Sequence, residues 1–137
     1  MMTLIETRNR HFMKACREII HSLPRETGID LAEVARMAAM SPAPHYYCTY
    51  EYALRMLRVL RHGRLELRRD RRRLMWEELN IKTRLYETRH RCRMPEALAN
   101  VLAGESASQF FISPSTALRL VQSLRAESLS NLMLKHA

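Results

Sequence analysis

The stretch "SPAPHYYCTYEYALRML" at residues 41–57 returns sixty-four residues later as "ESASQFFISPSTALRLV" at 105–121. With no gap, 31–61 aligned on 95–125 pairs identical residues at Ala35/Ala99, Ala39/Ala103, Ala43/Ala107, Ala53/Ala117, Leu54/Leu118, Arg55/Arg119, Leu60/Leu124 and Arg61/Arg125. Like replaces like at Val34/Leu98, Met37/Val101, Tyr46/Phe110, Tyr47/Phe111, Cys48/Ile112 and Thr49/Ser113, and upstream Phe12 falls opposite Trp76. Self-similarity at a fixed offset is the mark of a duplicated supersecondary unit, so a fold for this chain must be buildable twice.

The period of the apolar residues makes that unit helical. Thr3 and Glu6 have capping-box spacing, and Ile5, Phe12, Cys16, Ile19, Ile20 and Leu23 form one stripe that Pro24 stops. Asp30 and Glu33 repeat the spacing and open a second helix with Leu31, Val34, Ala35 and Ala38 inward. Ser41-Pro42 reads as a cap followed by proline at a first helical position, which predicts a short helix. Thr49 caps a helix with Ala53, Met56, Leu57 and Leu60 inward and Glu51, Arg55, Arg58 and His62 outward, and Gly63 ends it. From about Arg69 a further helix is expected to bury Leu74, Met75, Leu79, Ile81, Leu85 and Tyr86. Pro95 and Ser113-Pro114 open the last two helical stretches, and "HYYC" and "QFFI" are the only short extended candidates. The chain is therefore expected to be all-α, with about seven or eight helices in two tandem units: 1–64, and 65–137 with a basic linker and a C-terminal helix.

With 47% apolar residues and few Gly or Pro, 137 residues suffice for a packed core. A formal charge of +9, with 20 of 23 basic residues Arg, favours polyanionic partners, because the guanidinium fork grips phosphate or a guanine edge with two hydrogen bonds. Cys16, Cys48 and Cys92 are odd in number and widely spaced, which suggests neither disulfides nor zinc and points to a reducing, cytoplasmic setting. No apolar run reaches the length of a membrane span.

"VARMAAMS", with Ala35 and Ala39 four apart ahead of Met40 and Ser41, resembles the turn of helix-turn-helix repressors, and over about residues 5–57 the amino-terminal domain of the tetracycline-repressor family. The resemblance implies DNA binding, with a short recognition helix in "PAPHYYCTY" carrying His45, Tyr46 and Tyr47 toward base edges. The second copy has Phe110 and Phe111 in place of the tyrosines, so these aromatics also read as core, and Phe110 and Phe111 are expected to be largely buried. Arg55 and Arg119 sit on polar helix sides in both copies, and Arg61 and Arg125 are also kept, near helix ends where the helix dipole favours a cation. Between the copies, Arg61, Arg64, Arg68, Arg69, Arg71, Arg72 and Arg73 form a dense run relieved only by Glu66 and Asp70.

Catalytic signatures are missing: there is no glycine-rich phosphate loop, H-E-x-x-H or G-x-S-x-G, and "HRC" at 90–92 has no partner pair for a metal. No enzyme activity, cofactor or metal is expected. Expected instead is a small DNA-binding regulator or mobile-element protein, with a homodimer as one option. Its candidate contacts are His45, Arg55, Arg58, Arg61, Arg64, Arg68, Arg69, Arg71, Arg72, Arg73, Arg119 and Arg125. The competing expectation is a helical adaptor that binds a partner helix or an acidic protein.

Overall fold

The structure, a computed structural model, describes residues 2–24, 28–63 and 71–135; at 125 and at 127–135 it describes the backbone alone. Among the described residues there are six α-helices and no strand: α1 (Leu4–Ser22), α2 (Leu31–Ala39), α3 (Tyr50–Arg61), α4 (Arg71–His90), α5 (Met94–Gly104) and α6 (Pro114–Lys135). The short helix expected from Ser41-Pro42 does not form, and 41–49 and 105–113 are irregular. The Ser41 hydroxyl instead donates to the Ala38 carbonyl at 2.6 Å, closing the end of α2 rather than opening a new helix.

The capping chemistry sits where the sequence put it. Thr3 and Glu6 make the reciprocal box of α1, Thr49 accepts from the Tyr52 amide, and Ser113 accepts from the Thr116 amide just ahead of Pro114. Asp30 accepts from the Ala32 and Glu33 amides, but the Glu33 carboxylate turns outward to Arg36 instead of back to the cap. Gly63 ends α3 at φ +68, where a side chain is strained. Arg91 does the same for α4 at φ 49, with the Cys92 amide donating to the Glu87 carbonyl at 3.2 Å in the manner of a Schellman cap. A side chain there is a liability. We expect Arg91→Gly to raise stability by up to about 1 kcal/mol, read as a higher urea midpoint with an unchanged slope; a lower midpoint contradicts the cap.

Contacts divide the chain into two units: Met1–Ala43 with Ser108–Ala137, and Pro44–Ala107. In the first unit α1, α2 and α6 pack mutually; in the second α3, α4 and α5 do. Each half of the chain thus supplies two helices to one unit and its third helix to the other. The grouping differs from a cut between 64 and 65. Hydrophobic periodicity says which side of a helix is buried, but not which helix buries it.

Phe12, Cys16, Val34, Ala35, Ala38, Phe110, Leu120 and Val121 are buried in the first unit. The Phe12 and Phe110 rings meet edge-on at 5.5 Å, and the Phe110 amide donates to the Ala39 carbonyl at 3.1 Å. In the second unit the core holds Tyr46, Ala53, Leu57, Trp76, Leu79, Ala97, Leu98 and Val101, with Thr83 satisfied by the Leu79 carbonyl. Residues 64 apart largely share their burial: Phe12 and Trp76, Val34 and Leu98, Ala43 and Ala107, Tyr46 and Phe110, Ala53 and Ala117, Leu57 and Val121 are all buried, whereas Ala35 is buried and Ala99 exposed.

Three expectations about burial need correction. Ile5 of the α1 stripe is exposed. Phe111 is only half-buried and sits at φ 53, unlike the buried Phe110. In α4 the buried residues are Trp76, Leu79 and Thr83; of the six expected, only Leu79 is among them, and Leu74, Ile81 and Leu85 are exposed. Apolar residues lie on opposite sides of α4, so periodicity alone offered two candidate faces and the aliphatic one was not the core.

Candidate nucleic-acid interface

The second unit carries most of the charge, with 14 Lys and Arg against 8 Asp and Glu, or +6, compared with 9 against 6, or +3, in the first. Its α3 is held by the Thr49 cap and by Ala53 and Leu57 in the core, which turns Glu51, Tyr52, Arg55, Arg58 and His62 outward. The Tyr52 ring leans edge-on against Trp76 at 5.6 Å, and the Arg55 guanidinium lies 4.9 Å from the centre of the Tyr52 ring. This cation–π contact restrains Arg55 without neutralising it. Neither Arg55 nor Arg58 forms an ion pair among the described residues.

Arg61, one turn on, points the other way. Its Nε donates to Asn80 Oδ1 at 2.8 Å and its guanidinium is paired bidentately with the Glu87 carboxylate, leaving the side chain 18% exposed. Arg61 therefore staples α3 to α4 and is withdrawn from the set of candidate phosphate contacts. Arg71 and Arg72, the first described residues of α4, are exposed. Arg73 is half-buried, and its Nε donates to Glu77 at 3.0 Å. Arg64, Arg68 and Arg69 lie outside the described residues, as does the side chain of Arg125. Arg119 is exposed on α6 of the first unit.

The loop aromatics divide. Tyr46 is 4% exposed; its hydroxyl donates to Glu78 at 2.6 Å, and Lys82 Nζ stands 5.1 Å from its ring centre while donating to the Ser106 carbonyl at 2.5 Å. Burial first, then the Glu78 carboxylate, push the Tyr46 phenol far above its usual range, so it stays a neutral donor. Tyr46 is thus a core latch, not a base reader. His45 is exposed, with its ring edge-on to the half-buried Tyr47 at 6.3 Å. The Tyr46–Glu78 and Arg61–Glu87 pairs went unseen in the sequence because their partners lie 32 and 26 residues away with no motif between them.

Among the described residues no group of three or more His, Cys, Asp or Glu is placed to hold a metal. Burial pushes the Cys16 and Cys48 thiols up to about 11, so both stay protonated and poorly nucleophilic at neutral pH. In the first unit a cleft of about 570 Å³ runs between Ile20, Ile29, Leu31, Val121 and Leu124, with Arg17 and His21 beside it. Among the described residues no helix is long and apolar enough to cross a membrane. Comparison with known proteins adds no constraint: the chain matches no family model, no curated protein and no solved structure.

Proposed function

We propose that this chain binds duplex DNA through the outward side of α3 and the start of α4, in the role of a small regulator or mobile-element protein. The observation that carries this is the exposure of Arg55 and Arg58 on one helix, unpaired among the described residues and flanked by Tyr52 and His62. The adjoining Arg71 and Arg72 are exposed on α4 of the same unit and add to its positive charge. No recognition helix forms in 41–49, so base reading falls to α3, with Arg55 as the candidate reader and Arg58 and Arg71 as phosphate contacts. The matched burial at an offset of 64 supports an internal duplication with exchanged third helices, which makes Arg119 the counterpart of Arg55 on the other unit.

Salt tests it. Removing one phosphate-binding side chain lowers the slope of log affinity against log salt by about 0.9. Replacing Arg55, Arg58 and Arg71 together with Gln is expected to lower the slope by roughly 2 to 3 in fluorescence-anisotropy titrations of a labelled duplex. An unchanged slope, or affinity indifferent to salt in the unaltered protein, points to the adaptor instead.

A further inference from the structure

α4 is amphipathic twice over. Trp76, Leu79 and Thr83 fill the core of the second unit, while Leu74, Ile81 and Leu85, seven and four residues apart, form a second stripe on the opposite side, exposed by 41%, 60% and 51%. Three aliphatic side chains in one exposed line exceed the scattered apolar residues of an ordinary surface. The fold does not require them. At the positions 64 residues earlier α1 carries Arg10, Arg17 and His21, all exposed, in a helix that buries Phe12 where α4 buries Trp76.

We infer that this stripe joins α4 to α4 of a second copy of the chain, in an antiparallel pair. Charges along the stripe decide both occupant and direction. Glu77, which also accepts from Arg73, and the exposed Arg84 lie on one flank, an acid followed by a base; on the other flank Glu78 and Lys82 are held within their own chain by the Tyr46 hydroxyl and the Ser106 carbonyl. Turned about a twofold axis near residues 80 and 81, Glu77 faces Arg84 of the second copy, and the contact recurs by symmetry. Leu74 then packs beside Leu85 of the other copy, with the two Ile81 side chains at the centre. A parallel pair brings Arg84 near Arg89, which is repulsive. Only Arg71 and Arg89 oppose each other in the antiparallel pair, at its ends, where salt screens them. Packing along three turns with both flanks buries on the order of 1,000 Å² in total, the lower edge of a specific interface, so dimers are expected at micromolar concentration.

Sedimentation equilibrium of the full chain without DNA, from about 1 to 200 µM, tests this independently of nucleic-acid binding. A concentration-dependent dimer is expected, and one that tightens as salt rises, because two copies at +9 repel; DNA affinity moves the opposite way. Ile81→Glu, at an exposed site where the new residue is a good helix former, is expected to weaken the dimer at least tenfold with an unchanged thermal midpoint; Leu85→Gln serves if it does not fold. Glu77→Arg weakens the dimer, and adding Arg84→Glu restores it, because the exchanged charges meet again only in the antiparallel pair. A monomer at every concentration overturns the inference, and so does a dimer that Ile81→Glu leaves intact. Failure of the charge swap to restore association overturns the antiparallel geometry.

Discussion

Phe110→Ala is expected to lower the unfolding free energy by about 3 kcal/mol, a fall in thermal midpoint of roughly 10 °C for a chain of this size. Phe111→Ala, one residue on, is expected to cost less than about 1 kcal/mol, as for a partly exposed side chain outside the packed interior. Phe110 is 4% exposed and meets the fully buried Phe12 edge-on, so truncation removes both transfer energy and a ring contact worth about 0.5–1.5 kcal/mol. The loss is assigned to the ring because the Phe110 amide keeps its bond to the Ala39 carbonyl in the variant. Phe111 holds a left-handed backbone at φ 53, which costs an L-residue about 1 kcal/mol or more. Phe111→Gly is accordingly nearly neutral, the relief of strain offsetting the missing packing of the half-buried ring. Equal losses in Phe110→Ala and Phe111→Ala, measured by urea denaturation, contradict this division of the pair.

Arg61→Ala is expected to cost about 2 kcal/mol, against less than about 0.5 kcal/mol for Arg58→Ala at an exposed site. The Arg61 and Glu87 side chains are 18% and 24% exposed, and Arg61 also holds Asn80, so its removal leaves a carboxylate partly desolvated and an amide without its donor. Arg61→Lys recovers little, because a single ammonium cannot span Asn80 and both Glu87 oxygens as the planar fork does. A double-mutant cycle with Glu87→Gln is expected to give a coupling of about 1 kcal/mol or more, the range of contacting charged pairs. On DNA the two arginines are expected to exchange roles: Arg58→Ala lowers the salt slope and Arg61→Ala leaves it alone when measured well below its unfolding transition. Parallel behaviour of the two in both assays contradicts the separation of staple from contact.

The starts of α1, α2, α3 and α6 and the end of α3 were legible in the sequence because each is decided within a few residues, whereas the cap-plus-proline signal at Ser41-Pro42 opened no helix. Thr3, Asp30, Thr49 and Ser113 satisfy amides two or three residues ahead, and Gly63 ends a helix through its own backbone freedom. The outward placement of Arg55 and Arg58 followed from the same local period, given Ala53 and Leu57 inside. Tertiary structure alone decided what depends on residues far apart. Arg58 and Arg61 look alike along the chain, and only Asn80 and Glu87 distinguish them. In α4 two apolar sides compete, and packing against α3 and α5 chose the one with Trp76 and left Leu74, Ile81 and Leu85 outside. Neither could the repeat reveal that α3 joins α4 and α5 while α6 joins α1 and α2. The two segments have similar apolar periods, and period alone does not say which unit takes α3 and which α6; that choice rests on side-chain shape and chain connection.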